Sequence, residues 1–179
     1  MTRPPPSRLE GPLHVAILTT GGTIEKTYDE TDGSLRNVRS VLDRLLEELR
    51  LPDLRVTHVP VMNKDSLDMT PADREQILDK VRGALAHYDA ILVIHGTDTL
   101  AETGAHLERN LPGLAVPVVL TGAMRPFEFR DSDALQNVNE SLLAARLLAP
   151  GVYVVMHGRA LAFPGVTKNR ERRTFTRSS

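Results

Sequence analysis

Residues 90–94, Ala-Ile-Leu-Val-Ile, followed by residues 95–99, His-Gly-Thr-Asp-Thr, decide the fold that this sequence predicts. The first five residues form an unbroken apolar run of strand length, which is typical of a strand buried on both faces of a parallel sheet. The next five are a histidine followed by small, hydroxylated and acidic residues. The sequence thus changes from core-forming to chemically active residues at the point where the strand ends.

Four more apolar runs of strand length occur: Val15–Leu18, Val56–Val61, Val116–Leu120 and Val152–Met156. Helical patterns separate them, at Val38–Leu49, Thr70–Leu85, about Asp98–Asn110 and about Ser132–Leu148. This alternation predicts an α/β fold, a three-layer α/β/α domain with a mostly parallel sheet. Pro60 and Pro117 lack a backbone N–H, so we expect them at strand ends or on an edge.

Composition excludes several functional classes. The chain has 179 residues, which favours one domain, and its 41% apolar content excludes disorder over the whole length. Lys and Arg number 22 against 23 Asp and Glu, a net charge of −1, so we expect no nucleic-acid partner. The cysteine count is zero, which excludes a disulfide framework, an iron–sulfur site and a cysteine nucleophile.

The termini suggest little chemistry of their own. No apolar run reaches the roughly 18 residues that a membrane-spanning helix needs, and residues 1–6 lack the apolar core of a signal peptide. We therefore expect a cytoplasmic protein without membrane contact. We divide the chain into a disordered, Pro-rich leader over residues 1–12, a folded domain over 13–169, and a solvated, basic polar tail over 170–179.

The strand ends share one chemistry. The first strand leads into Thr19–Thr23, the third into His95–Thr99 and the fourth into Thr121–Pro126, while the second leads to Asp65–Met69. In open parallel sheets, ligands bind beyond the carboxyl ends of the strands. Hydroxyls, glycines and acids at these ends therefore predict a small, polar, composite pocket.

Each turn also has a purely structural interpretation. Gly21 and Gly22 suit a tight turn that needs positive φ, and Thr99 with Glu102 has the spacing of a helix capping box. The paired glycines are not a phosphate-binding loop, because the Gly-x-x-x-x-Gly-Lys spacing is absent.

The pattern points away from the common nucleophile arrangements. A Gly-x-Ser-x-Gly elbow is absent, and none of the six histidines forms a metal-spaced pair. His95 is either a general base or, as we favour, a residue that positions backbone. The nucleophile, if there is one, is then a threonine or serine activated by another base. Lys168 is a candidate if its pKa is lowered, and an ordinary surface lysine otherwise.

Together these residues resemble the asparaginase family. Its two threonine motifs are matched by Thr20–Ile24 and His95–Thr99, and three further motifs follow the family's order and spacing: Ser66 within Asp65–Met69, Gly122–Pro126 and Val166–Lys168. The resemblance covers Leu13–Lys168. It implies the fold of the family's N-terminal domain. Because the sequence ends eleven residues after Lys168, we expect the small C-terminal domain, which lends an acidic residue to a neighbouring site, to be absent.

The resemblance also implies catalytic roles. Thr23 is the expected nucleophile, and Thr97, Asp98 and Lys168 form a second triad in which Lys168 is the base toward Thr97. Which threonine attacks stays open. Tyr28 resembles the mobile-loop tyrosine that assists Thr23, although it lies only five residues beyond it.

The remaining roles concern the substrate. By the same resemblance, Asp98 holds the α-ammonium and Ser66 the α-carboxylate, while Gly22 and the backbone groups of Thr97 and Ala123 contact the substrate. No metal or cofactor is expected.

The function implied is an L-asparaginase (EC 3.5.1.1) that hydrolyses L-asparagine to L-aspartate and ammonia through a threonine acyl-enzyme. Two alternatives stay open: a non-catalytic amino-acid sensor, and an amidohydrolase for another amide such as L-glutamine or a peptide amide. We also expect a homo-oligomer, either a dimer or a tetramer.

Overall fold

The central feature of the computed structural model, which describes residues 9–29, 34–37 and 41–178, is one six-stranded sheet. In chain order the strands are β1 (Leu13–Gly21), β2 (Lys26–Asp29), β3 (Ser34–Asn37), β4 (Leu54–Lys64), β5 (Ala90–Ile94), β6 (Pro117–Thr121), β7 (Gly151–Met156), β8 (Arg159–Ala162), β9 (Val166–Asn169) and β10 (Thr174–Arg177). The sheet order is β4-β1-β5-β6-β7-β8. Its first five strands are parallel, and β8 pairs antiparallel with β7.

Helices cover the two faces of this sheet. Among the described residues they are α1 (Leu42–Glu47), α2 (Pro71–Ala84), α3 (Leu100–Asn110) and α4 (Ala134–Leu147). Helices α2 and α3 share one buried cluster with Ile91 and Val93, and α1 and α4 share the other with Leu92 and Ile94. Alternate residues of β5 thus enter opposite cores, which explains its unbroken apolar run. The predicted three-layer α/β fold is confirmed.

Proline positions and one helix start follow the sequence prediction. Pro117 is the first residue of β6, and Pro60 lies on the edge strand β4. At the start of α2, Thr70 Oγ1 accepts from the Asp73 N–H, and Asp73 Oδ2 accepts from the Thr70 N–H at 2.7 Å. Hydrogen bonds from Lys64 and Thr70 lower the pKa of Asp73 to about 2. This capping box fixes the helix that follows the Ser66 turn.

The predicted solvated tail is wrong. Residues Thr174–Arg177 form β10, which pairs antiparallel with β9, and Phe175 is only 2% exposed within the buried cluster that also contains residues of α3. One buried aromatic ring stabilises this segment despite its arginines, because burying such a side chain contributes about 1.5–3 kcal/mol. The hairpin of β9 and β10 is therefore part of the domain, and it carries Lys168.

Other boundaries differ less. Helix α1 is shorter than its predicted Val38–Leu49 span, and residues 38–40 lie outside the described residues. Most of the predicted leader, residues 1–8, also lies outside them, whereas the Gly11 carbonyl accepts a hydrogen bond of 2.7 Å from Arg146. Within the described ranges, none of the helices combines the length and apolarity needed to cross a membrane.

Candidate active site

The carboxyl ends of adjacent strands bring the predicted turns into contact. Strands β1, β5 and β6 are neighbours, and a Cβ placed on Gly22, after β1, would lie 2.5 Å from the backbone of Gly96, after β5. A Cβ on Gly96 would in turn lie 2.6 Å from Ser66. Side chains at these two positions would separate the turns, so the glycines allow the turns to pack directly against one another.

Lys168 reaches the turn after β5 from the β9–β10 hairpin. Its Nζ lies 2.8 Å from Thr97 Oγ1 and 2.9 Å from Asp98 Oδ1. Thr97 is 4% exposed, and the Lys168 side chain is 16% exposed. The interpretation of Lys168 as an ordinary surface lysine is therefore wrong, and the predicted grouping of Thr97, Asp98 and Lys168 is present as a contact network.

This network has the geometry for proton transfer. A charged Lys168 donates to both oxygens, whereas a neutral Lys168 amine can accept the hydroxyl proton of Thr97 along the same 2.8 Å contact. The hydroxyl has a second, weak acceptor in Met124 Sδ at 3.7 Å. Asp98 Oδ1 also lies 3.7 Å from an Arg170 nitrogen. One hydroxyl, one amine and one carboxylate are thus arranged so that a threonine can be activated without a histidine.

Thr23 lies on the neighbouring turn. It is half-buried and begins a short 3₁₀ helix, Thr23–Glu25, directly after Gly22. The Gly22 N–H donates to the Lys64 carbonyl at 3.0 Å, which fixes this turn against the end of β4. The sheet therefore places the two candidate threonines on adjacent turns.

Tyr28 lies apart from these groups. Its side chain is 59% exposed, and its backbone N–H donates to Glu128 Oε2 at 2.9 Å. Among the described residues, its hydroxyl makes no hydrogen bond to Thr23 or to the Lys168 network. Its role stays a prediction that the geometry does not support.

Ser66 supplies a buried hydroxyl. It is 1% exposed, and within the described part of the chain its Oγ has no hydrogen-bond partner. The Thr99 hydroxyl donates to the Ser66 carbonyl at 2.8 Å instead of capping α3, so the capping-box interpretation of Thr99 and Glu102 is wrong. A buried hydroxyl without a partner is costly, so Ser66 Oγ is well suited to bind a ligand.

His95 holds backbone, as the sequence analysis favoured. Its Nδ1–H donates to the Gly96 carbonyl at 2.8 Å, so its Nε2 accepts from the Thr103 hydroxyl at 2.8 Å. The residue is fully buried, and burial lowers its pKa to about 4 despite the Gly96 contact. A neutral imidazole with both nitrogens engaged positions the His95–Asp98 turn and is not available as a base.

This burial predicts a pH-dependent stability. The unfolded chain protonates His95 below about pH 6.5, while the folded chain resists protonation until about pH 4. As the pH is lowered through that window, the unfolded state gains a proton that the folded state does not. The free energy of unfolding should therefore fall by about 1.4 kcal/mol for each unit by which the pH is lowered. Urea unfolding at pH 7 and pH 5 checks this: His95→Gln should lose this component, and His87→Gln, at an exposed position, should keep it. Equal pH dependence in both variants would contradict the assignment.

Two residues that the sequence analysis missed hold the turn after β6. Asp133 accepts hydrogen bonds from the backbone N–H groups of Met124 and Arg125, and Asn137 donates to the Gly122 carbonyl at 2.9 Å. Ala123, which these contacts flank, is 1% exposed. Asp133 directly precedes α4, where an aspartate ordinarily caps the helix. Nothing in the neighbouring sequence therefore indicated that it contacts Met124, nine residues earlier in the chain.

A cavity of about 300 Å³ lies beside Lys168. Arg125, Arg170 and Arg173, together with Met124, complete its lining. Its positive charge suits the negative groups of a small ligand.

Among the residues that the structure describes, no group of three or more His, Asp or Glu side chains is arranged to hold a metal ion.

Comparison with known proteins shows which family the chain belongs to. A sequence model of the family described as "Asparaginase, N-terminal" matches residues 14–178. The chain belongs to the asparaginase family. One curated relative is an L-asparaginase of Thermococcus kodakarensis, 34% identical over 87% of this chain and 48% of its own. Another is a glutamyl-tRNA(Gln) amidotransferase component of Aeropyrum pernix, 37% identical over 88% of this chain and 40% of its own.

Solved asparaginase structures share the fold. The thermostable L-asparaginase of T. kodakarensis superposes with a TM-score of 0.85 at 32% identity, covering 92% of this chain and 51% of that one. L-asparaginase I of Vibrio cholerae gives a TM-score of 0.81 at 27% identity, covering 93% and 52%. The chain thus spans about half the length of the relatives it matches, in the part that the family's N-terminal domain occupies.

Proposed function

We propose that the protein is an L-asparaginase, which hydrolyses the side-chain amide of L-asparagine to L-aspartate and ammonia through a threonine acyl-enzyme. The observation that carries this proposal is the contact of Lys168 Nζ with both Thr97 Oγ1 and Asp98 Oδ1, on a turn packed against that of Thr23. A lysine held against a buried threonine serves to activate a hydroxyl, and family membership favours an amide as the target.

The reaction divides one high barrier into two lower ones. A threonine oxygen, assigned to Thr23, bonds to the amide carbon and gives up its proton, which is transferred to the amide nitrogen, while the carbonyl oxygen becomes an oxyanion. Collapse of this intermediate breaks the C–N bond, and the protonated nitrogen departs as ammonia. A water molecule then attacks the aspartyl ester, and its proton returns to the threonine oxygen as aspartate leaves. Lys168, as the base toward Thr97, carries protons within this cycle.

Substrate recognition is assigned to polar groups already in place. The contacts that Asp98 makes with Lys168 and Arg170 both use Oδ1, so within the described residues Oδ2 is left for the α-ammonium. The unpartnered Ser66 Oγ is suited to the α-carboxylate, with Gly22 and the backbone of Thr97 and Ala123 completing the contacts. A desolvated, charge-assisted hydrogen bond of this kind contributes about 2–3 kcal/mol.

A glutamine-type amide is the second candidate substrate. It is favoured by the A. pernix relative, which is named for a glutamyl-tRNA(Gln) amidotransferase and is slightly more identical to this chain than the T. kodakarensis asparaginase. The two candidates share the same chemistry and differ by one methylene, which typically changes discrimination by about 10–200-fold.

Ammonia release from the purified chain tests the proposal. We expect turnover with L-asparagine exceeding that with L-glutamine, and a loss of at least about 10²-fold in kcat for Thr23→Ala, because that variant removes the attacking oxygen. Thr27→Ala, four residues on, is the matched control.

The other outcomes are equally informative. Turnover of L-glutamine alone would assign the second substrate. Binding of L-asparagine without turnover would indicate a sensor, and full activity in Thr23→Ala would remove that residue from the mechanism. A cytoplasmic location and a dimeric or tetrameric state remain predictions for fractionation and light scattering.

A further inference from the structure

We infer that Asp133 and Asn137 are positioning residues for the reaction: together they fix both peptide groups flanking Ala123 so that its own backbone N–H and carbonyl face the reacting amide. This inference rests on the proposed amidohydrolase function and deepens it, because it assigns a second layer behind the residues that contact the substrate. Neither residue belongs to the threonine and lysine network described above.

Asp133 holds the downstream side of Ala123. The Met124 nitrogen lies 3.0 and 3.1 Å from the two Asp133 carboxylate oxygens, and the Arg125 nitrogen lies 3.1 Å from Oδ1. One carboxylate thus accepts from two successive backbone N–H groups. Burial would by itself raise the pKa of Asp133, but the donors from Met124, His157 and Arg125 outweigh it and hold the pKa below its ordinary value. The carboxylate therefore stays ionised and a strong acceptor.

Asn137 holds the upstream side. This residue is fully buried, and its Nδ2 donates to the Gly122 carbonyl at 2.9 Å and to Asp133 Oδ2 at 2.9 Å. Its Oδ1 accepts from the His157 N–H at 3.1 Å. Since every partner requires one particular orientation of the amide, the Asn137 side chain is fixed, and the Gly122 peptide is fixed with it.

Ala123 is left with its own backbone groups available. Among the described residues, neither its N–H nor its carbonyl makes a hydrogen bond, although the residue is 1% exposed and the peptides on both sides are held. The turn also contacts the catalytic group directly, through Met124 Sδ and Thr97 Oγ1. A rigid peptide with unused polar groups beside the nucleophiles is suited to stabilise charge that develops in the transition state.

His157 closes the network on its far side. Its Nε2 lies 2.7 Å from Asp133 Oδ2, and its Nδ1 lies 3.1 Å from Thr174 Oγ1 on β10. The hairpin that carries Lys168 and the turn that carries Ala123 are therefore joined through two side chains. Movement of either segment would alter the alignment of the other, so these contacts affect the geometry of the site as well as the packing of the domain.

Kinetics of variants at Asp133 test the inference. Asp133→Ala should lower kcat for L-asparagine by about 10²-fold, because reacting groups displaced by about 1 Å lose that much. Its KM should change less than about 3-fold, since Ser66 and Asp98 are untouched. Asp133→Asn keeps one oxygen for the two N–H groups but turns an N–H₂ toward Asn137, so it should recover part of the loss. The matched control is Asp131→Asn, whose carboxylate pairs with the exposed Arg125 side chain; it should keep the wild-type kcat.

A ligand pair separates positioning from stability. L-aspartate β-semialdehyde, whose carbonyl forms a tetrahedral adduct with the nucleophile, should bind Asp133→Ala at least about 10-fold more weakly than wild type. L-aspartate itself should bind both forms alike, at a temperature where melting curves show the variant folded.

Each result decides a point. If the wild-type chain hydrolyses the amide and folded Asp133→Ala has the same kcat, the positioning role is overturned and the proposed function stands. Equal weakening of L-aspartate and its semialdehyde would reduce Asp133 to a structural residue and also overturn the role. A wild-type chain that turns over no amide would overturn the proposed function and this role together.

Discussion

Replacing Lys168 with Met should lower kcat for L-asparagine by about 10³-fold while leaving KM within a few-fold of the wild-type value. The amine is the basic group in contact with Thr97 Oγ1, and base catalysis by a positioned side chain contributes about 10²–10⁴-fold. The methionine side chain fills similar space along β9, so the hairpin should persist. Steady-state ammonia release, with melting temperatures to confirm folding, measures the effect.

The partner of Lys168 provides a sharper form of this test. Thr97→Ala should cost about as much as Lys168→Met, and the double variant little more than either, since residues that act as a unit have non-additive effects. The matched control is Lys80→Met, an exposed position near the end of α2, which should keep full activity. A Lys168→Met variant with a near-wild-type rate would remove the lysine from the mechanism, whatever the geometry.

The sheet was predictable because its strands carry a local signal. Residues 90–94 are apolar without interruption, and the structure shows alternate members of that run in two different cores. Burial on both faces leaves no solvent-facing position, so composition alone marks the strand. The same reasoning located the turns, because ligand-facing residues of a parallel sheet follow its strands directly.

What the sequence could not reveal depends on single long-range contacts. Phe175 is one aromatic residue among arginines, and its burial in the core has no local signature. Asp133 has the position of a helix cap, but its oxygens accept instead from the backbone nitrogens of Met124 and Arg125. A backbone N–H donor is not tied to a residue type, so the sequence does not mark these partners. Thr99 resembled a cap in the same way, and its hydroxyl binds the Ser66 carbonyl.

Substituting Gly22 with Ala should be among the most disruptive single changes, for a steric reason. Gly22 has φ +87° and ψ −175°, a region that is essentially restricted to glycine. Its Cβ would also lie 2.5 Å from both the nitrogen and the Cα of Gly96, and backbone at that position cannot rotate away. We expect the free energy of unfolding to fall by about 3 kcal/mol or more, the combined cost of the disfavoured φ and of overpacking.

The same substitution should also affect catalysis, because the displaced backbone leads directly into Thr97. A shift of about 1 Å in that turn would separate Thr97 from Lys168 and lower kcat by about 10²-fold in whatever protein remains folded. Gly83→Ala is the matched control: it lies inside α2, a Cβ there meets nothing within 4 Å, and alanine should raise stability by up to about 1 kcal/mol. Urea unfolding and ammonia release on both variants measure the contrast. A Gly22→Ala protein as stable and active as wild type would show that the turns after β1 and β5 are not in contact, and the composite pocket built from them would then be wrong.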